Sequence, residues 1–196
     1  KASYETTDPT VSNQMVTLKS SGADTFFNVT TPKWAAQAIK IAAELGWKPT
    51  HYLNSVSSSV GSVMVPAGAE NGIGIISSNY FKDPADPVWA NDKGFLEYKA
   101  WLEKNMPGAN IVEGFYVSGY IHAAATAQVI RQAGDDLTRA NIMKQAANLK
   151  NFENGMLLPG IKLNTSATDF YPVENKQLMK WNGKSWEMFG EIYGPK

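Results

Sequence analysis

The sequence contains no cysteine and only two histidines, His51 and His122. The absence of cysteine excludes disulfides, thiolate catalysis and zinc sites built on thiolates. It also fits an oxidising compartment, in which free thiols are a liability. Neither histidine lies in a nucleophile motif such as Gly-x-Ser-x-Gly. We therefore expect no catalytic residue and no enzymatic activity.

The chain also lacks an excess of charge of either sign and a long apolar run. Its 196 residues carry 18 basic and 18 acidic side chains, so the formal net charge is zero. Nucleic-acid binding and binding to anionic membranes both need a broad basic surface, so we expect neither. No stretch approaches the roughly 20 apolar residues that cross a bilayer. The first residues have no apolar segment of the kind found in signal peptides.

The first third of the chain alternates strands with helices. Apolar and β-branched residues predict strands at 24–29, 50–53 and 73–78. A helix with the apolar stripe Ala35, Ala38, Ile39, Ala42 and Leu45 is predicted between the first two, with Thr31 as its cap. Strands that alternate with helices over short connections are typical of a parallel sheet, so the predicted fold class is α/β.

The rest of the chain is mainly helical until its tail. Two prolines make 80–87 a connector, and helices are predicted at about 95–106, 120–132 and 139–149. Asn182 and Gly183 predict a two-residue turn between the final two strands. A short helix is predicted at 57–65, and the first helix is expected to start at Asp8 and Pro9.

Metal and cofactor sites have little support. Acidic pairs occur at 83 and 86 and at 135 and 136, but turn and cap roles explain them, and no calcium-loop motif is present. Gly68, Gly72 and Gly74 precede a strand, whereas a dinucleotide-binding loop follows one. We expect no metal and no cofactor.

Polar residues follow two of the predicted strands directly. They occupy 54–59 after the strand at 50–53, and 28–31 at the end of the strand at 24–29. Ligands of open α/β sheets bind at the carboxyl ends of strands, so these residues could line one cleft. Ser, Thr and Asn also favour caps and turns, and that alternative remains open. Tyr80 and Phe81, and the aromatic residues at 115, 116 and 120, could stack on a ligand or pack in a core.

The order of several short motifs resembles the second half of a known family. The family is that of periplasmic solute-binding proteins of the branched-chain amino acid type of ABC importer, which have the type I fold. The motifs lie at 8–11, 19–25, 36–38, 45–49, 67–72, 134–141, 157–161 and 164–166.

The resemblance implies two α/β lobes around a cleft, of which this chain is an incomplete part. Residues 1–75 would belong to the second lobe, 76–155 would return to the first lobe, and 156–196 would rejoin the second. The resemblance also implies a periplasmic location, with a signal peptide in the precursor. The implied partners are a small-molecule solute, a membrane permease and the missing N-terminal half of the same protein.

The resemblance also bears on the ligand. Amino acid binders of this family use an aromatic and an acidic residue at two strand ends, and here those positions hold Thr30 and Val56. A buried ammonium without a carboxylate partner is unfavourable, so we expect an aromatic or other organic carboxylate without an amine. The predicted ligand-binding residues are Thr30, Thr31, Asn54, Ser55, Val56, Ser57 and Tyr80.

Three alternative functions remain open from the sequence. The protein could bind a branched-chain amino acid despite these substitutions. It could be a ligand-sensing domain of the same fold that regulates a partner protein. It could also be a small α/β enzyme that uses one of the two histidines.

Overall fold

The computed structural model describes residues 1–194 and divides them into two compact units. The first unit comprises Lys1–Asn79, Ala85–Val88 and Leu178–Gly190. The second comprises Tyr80–Pro84, Trp89–Gln177 and 191–194. The last two residues of the predicted segment 156–196 lie outside the described residues.

The first unit contains most of a five-stranded sheet, which confirms the α/β prediction. In chain order, which is also their order in the sheet, the strands are β1 (Thr25–Asn28), β2 (Thr50–Leu53), β3 (Ile76–Asn79), β4 (Lys176–Trp181) and β5 (Trp186–Tyr193). The pairs β1–β2 and β2–β3 are parallel. The turn between β4 and β5 spans Asn182–Ser185, two residues more than predicted, because the Asn182 side chain accepts the amides of Lys184 and Ser185.

Two helices cover one face of this sheet. They are α1 (Ser12–Ser20) and α2 (Pro32–Glu44). The predicted alanine-rich stripe of α2 is confirmed: it packs on Phe26 and Leu53, whose side chains point to the same face of their strands. α1 starts later than predicted, because the Asp8 carboxylate accepts the amide of Glu5 and closes a turn before the helix.

The segment between β2 and β3 differs from the predicted helix at 57–65. It contains 3₁₀ turns at Ser55–Ser57 and Ala69–Gly72 and a π-helical turn at Val60–Met64. Val60, Val63, Met64 and Ala67 of this segment are buried in the core together with Trp181 and Trp186. Each indole N–H donates to a carbonyl of this segment, at Ala69 (2.7 Å) and Ser58 (2.9 Å). Long-range anchoring to β4 and β5 therefore fixes a segment whose local sequence does not form a regular helix.

The second unit contains three helices, α3 (Lys93–Asn105), α4 (Gly114–Ala133) and α5 (Arg139–Ala146). The prediction placed the start of α4 six residues too late, at 120. The Glu113 carboxylate accepts the amide of Phe115 and starts the helix there. None of the helices in the described part of the chain has the length and apolar character needed to cross a membrane.

A partly buried ion pair anchors the segment 80–84 within the second unit. The Lys82 ammonium lies 2.6 Å from the Asp92 carboxylate, which also accepts the amide of Phe95 and caps α3. Burial raises the pKa of Asp92, but the hydrogen bonds from Lys82 and from the start of α3 outweigh it and lower the pKa overall. The Lys82 amide donates to the Met156 carbonyl at 2.8 Å. Both the side chain and the backbone of Lys82 therefore hold this segment in place.

Candidate ligand-binding site

The ends of β1 and β2 bring six of the seven predicted site residues together. β1 ends at Asn28 and β2 at Leu53, and these two residues are paired in the sheet. The Asn54 amide donates to the Asn28 carbonyl at 3.0 Å, so the pairing extends one residue past β2. The residues at 30–31 and at 54–57 consequently lie together at the carboxyl edge of the sheet. The seventh residue, Tyr80, belongs to the second unit.

The side chain of Asn54 is fully engaged in joining the two strand ends. Its Nδ2 donates to the carbonyls of Asn28 (3.2 Å) and Thr30 (2.8 Å). Its Oδ1 accepts the amide of Val56 at 3.0 Å and so caps the 3₁₀ turn. Asn54 therefore positions the loops around it, and its amide N–H groups are already used.

Ser57 and Thr30 are also committed to internal hydrogen bonds. The Ser57 hydroxyl is buried and donates to the Thr30 carbonyl at 2.5 Å, so this carbonyl accepts two side-chain donors. The Thr30 hydroxyl donates to Asn28 Oδ1 at 2.7 Å. These polar groups form a clamp, consisting of Asn28, Thr30, Asn54 and Ser57, that fixes the edge of the sheet. The cap-and-turn alternative thus explains much of their chemistry.

Thr31 is exposed and is held by a residue that sequence reasoning missed. Its backbone N–H donates to the Tyr4 hydroxyl at 2.8 Å, and its side-chain oxygen lies 3.2 Å from the same hydroxyl. The Tyr4 ring packs on Trp34 with centroids 5.4 Å apart. No local signal identifies Tyr4, because the contact joins residues 27 positions apart.

The surface available to a ligand at these strand ends is mostly apolar. The Val56 side chain is 56% exposed and Val29 is 78% exposed, whereas Ser57 is fully buried. Ser55, the first residue of the 3₁₀ turn, is half-buried. No acidic or basic residue occurs at 28–31 or 54–59. A ligand at this edge would therefore meet valine side chains and a few hydroxyl and backbone groups.

The end of β3 continues the polar edge, although the prediction did not include it. Ser77 is buried and its hydroxyl donates to the Leu53 carbonyl at 2.8 Å. Asn79 ends β3 and is 3% exposed. The signal that could have found it is the repetition of asparagine at the ends of three successive strands, at Asn28, Asn54 and Asn79.

Tyr80 contacts α4 in the second unit. Its hydroxyl lies 3.2 Å from the Ser118 hydroxyl, and its ring meets Phe81 edge-on, with centroids 4.9 Å apart. The Ser118 oxygen lies 3.4 Å from Nδ1 of His122, one turn farther along α4. The Ser118 hydroxyl therefore lies between the Tyr80 hydroxyl and the His122 imidazole.

The remaining titratable groups do not form a metal site. The described residues contain no group of three or more side chains that could hold a metal ion. His51 is buried in β2 with its ring 4.6 Å from that of Phe26, and burial lowers its pKa to about 4. His51 therefore acts as a neutral packed residue, while His122 lies exposed on α4.

Comparison with known proteins agrees with the architecture described above. The sequence profile of the periplasmic binding protein family matches residues 1–185. No curated protein matches the chain.

Several solved structures have the same fold at low sequence identity. A branched-chain amino acid ABC transporter protein from Thermus thermophilus with bound valine is 16% identical, has a TM-score of 0.79, and covers 94% of this chain and 50% of its own. A substrate-binding periplasmic protein from Ralstonia solanacearum is 19% identical and has a TM-score of 0.75. The match covers 96% of this chain and 52% of the Ralstonia chain. A leucine binding protein from Thermotoga maritima is 15% identical and has a TM-score of 0.70. The match covers 98% of this chain and 51% of the Thermotoga chain.

These matches identify the fold as the type I periplasmic binding protein fold, as predicted. The chain spans about half the length of the solved structures that it matches. The profile match extends over nearly the whole sequence, so the chain belongs to the periplasmic binding protein family.

Proposed function

We propose that this chain is part of an extracytoplasmic solute receptor of an ABC importer. The observation that carries the proposal is the family match over residues 1–185, combined with a polar edge at the carboxyl ends of parallel strands. In this proposal the receptor is periplasmic, its precursor carries a signal peptide, and it delivers its solute to a membrane permease. Its function is binding and not catalysis.

The complete receptor would include an N-terminal half that residues 1–196 do not contain. This proposal is supported by the length of the solved structures, of which the chain covers about half. Residues 1–75 and 156–196 would then belong to the second lobe and 76–155 to the first. The solute would stabilise the closed arrangement of the two lobes, because its affinity for that arrangement is higher.

The proposed solute is an aromatic or other organic carboxylate without an amine. Support comes from the absence of acidic residues at the ends of β1 and β2, and from the exposed side chains of Val29 and Val56. An ammonium group would find no carboxylate at this edge, whereas an aromatic ring could pack on the two valines. Thr30, Thr31, Ser55 and Val56 would contact the solute, Asn54 and Ser57 would hold the loops, and Tyr80 stays a predicted contact residue.

A branched-chain amino acid is the second candidate. It is favoured by the likeness to the valine-bound protein from Thermus thermophilus and to the leucine binding protein from Thermotoga maritima. The two candidates differ in one chemical group, the α-amine, and titration can therefore separate them.

Calorimetric titration of the complete receptor with benzoate, 4-hydroxybenzoate, leucine and valine tests this proposal. We expect the aromatic carboxylates to bind and the amino acids to give no heat. Val56→Glu should weaken carboxylate binding about tenfold or more, because two like charges within about 4 Å repel by several kcal/mol at intermediate dielectric. Val65→Glu is the matched control, since Val65 is 61% exposed in the same unit and lies outside the site. Tight leucine binding without a response to benzoates would refute the proposed solute.

A further inference from the structure

A cavity lies within the first unit at the amino end of β2. It encloses about 450 Å³, which is within the range of small-molecule sites. Its walls come from the end of α2, from residues 47–49 and 51, and from residues 70–71 and 73–75 before β3. The candidate ligand-binding site begins at Asn54, past the other end of β2 and about 10 Å along the strand from His51. The cavity is therefore separate from that site.

The imidazole of His51 is the unsatisfied polar group of this cavity. His51 lines the cavity and is 7% exposed, and its Nε2 has no hydrogen-bond partner among the described residues. Burial lowers the pKa of His51 to about 4, so the ring is uncharged at neutral pH. A neutral imidazole has one N–H donor and one acceptor nitrogen, and a hydroxyl group can bind either. Because a buried polar group without a partner is unfavourable, a ligand that brings a hydroxyl to this ring gains affinity.

Other polar groups of the walls are already used inside the protein. The Trp47 indole N–H donates to the Ala23 carbonyl at 3.0 Å. The Asn71 Nδ2 donates to the Ala67 carbonyl at 2.8 Å. These bonds fix the walls in place before any ligand binds, and they leave few donors for a ligand with many polar groups, such as a sugar.

The remaining walls are apolar, and the charges are exposed. Ile39, Ala42 and Ile75 line the cavity and are buried in the core. The two charged lining residues, Lys48 and Glu70, have opposite signs, and both are exposed to solvent. A charged group beside the imidazole would lose its hydration and find no opposite charge there. The cavity therefore suits an uncharged ligand that has one hydroxyl and an apolar body.

We propose that this cavity binds an uncharged aromatic compound with one hydroxyl group, of the phenol class. The hydroxyl hydrogen-bonds to the His51 imidazole, and the ring packs against the aliphatic walls and beside the Trp47 indole. The ligand differs from the solute proposed for the strand ends, because it carries no carboxylate. The inference goes beyond the proposed function and does not depend on which solute the receptor delivers.

Titration of the complete receptor with phenol and with toluene tests the hydrogen bond. Binding is followed at neutral pH by the NMR signals of the Trp47 indole, which lines the cavity in every variant. Phenol should shift these signals. His51→Phe keeps a ring at this position but removes both nitrogens, so the ratio of phenol affinity to toluene affinity should fall about tenfold. An unchanged ratio would overturn the inference.

A matched pair of surface variants tests the cavity without altering His51. Ala43 and Glu44 are neighbours at the end of α2 and both are exposed, but Ala43 lines the cavity and Glu44 does not. Ala43→Trp should fill the cavity and abolish the phenol-induced shift, whereas Glu44→Trp should leave it intact. This comparison decides the question even if His51→Phe does not fold. Phenol binding that leaves the Trp47 signals unmoved, or that persists there in Ala43→Trp, would place the ligand elsewhere and refute the proposed site.

Discussion

Acidification should destabilise the first unit through His51. The imidazole is 7% exposed, packs against Phe26, and has an Nε2 without a hydrogen-bond partner among the described residues. Burial lowers the pKa of His51 from 6.5 to about 4, because the charged form loses its hydration. The folded state therefore binds this proton less readily than the unfolded state does.

The sign and size of the effect follow from this difference in pKa. Above pH 6.5 both states are neutral at His51 and the group has no effect on stability. As the pH falls below 6.5 the unfolded state gains a proton that the folded state does not accept, and unfolding becomes easier until the pH reaches about 4. Between pH 7 and pH 5 this amounts to a loss of about 2 kcal/mol in the free energy of unfolding.

Urea unfolding at pH 7 and pH 5, followed by tryptophan fluorescence, measures this loss. His51→Phe removes the titrating group while keeping a ring beside Phe26, and it should make the pH dependence about 2 kcal/mol smaller than in the original chain. His122→Gln is the control for the loss of a histidine, because His122 lies exposed on α4 and not in the core of the first unit. The reasoning is refuted if His51→Phe and the original chain lose the same stability between the two pH values.

Two further predictions concern packing and the clamp at the strand ends. Gly94→Ala should destabilise the second unit by about 3 kcal/mol or more in thermal unfolding, since the new Cβ would overlap the Gly155 backbone. Gly119→Ala is the control, because a Cβ at this position in α4 meets no atom within 4 Å. It should be neutral or stabilising by up to about 1 kcal/mol. Asn54→Asp should lower stability by about 2 kcal/mol, because a carboxylate oxygen replaces the N–H donor that binds the carbonyls of Asn28 and Thr30. Ser59→Ala is the comparison for Asn54→Asp, since it removes only one weak cap, at 3.4 Å, and a similar loss in both variants would contradict the role of the clamp.

The sequence predicted those elements whose local signals agree. Pro32, the alanine stripe and Gly46 all indicate the same helix, and α2 forms as expected. The helix predicted at 57–65 was wrong, because Trp181 and Trp186 hold the segment between β2 and β3 from more than a hundred residues away. The start of α4 was misplaced because Phe115 and Tyr116 have no strong helix preference, and only the cap contact at Glu113 reveals it.

The candidate site was located by topology, but its chemistry could not be read from the sequence. Polar residues after parallel strands suggested that 28–31 and 54–59 could line one cleft, and the structure brings 28–31 and 54–57 together. Whether such a residue faces a ligand or a neighbouring carbonyl depends on the loop conformation, which composition does not encode. The sequence therefore pointed equally to Asn54, which is engaged internally, and to Val56, which is exposed.

In the proposed receptor, the residues of the clamp at the strand ends would differ from those that select the solute. The Thr30 carbonyl receives both Asn54 and Ser57, so the shape of the edge depends on groups that lie behind the exposed surface. The side chains of Val29 and Val56 are exposed at that edge and are not part of the clamp. In the proposed receptor, substitutions at these two positions would change which solute is accepted while the fold persists. A change of ligand preference would then need few mutations, and none of them would have to destabilise the clamp.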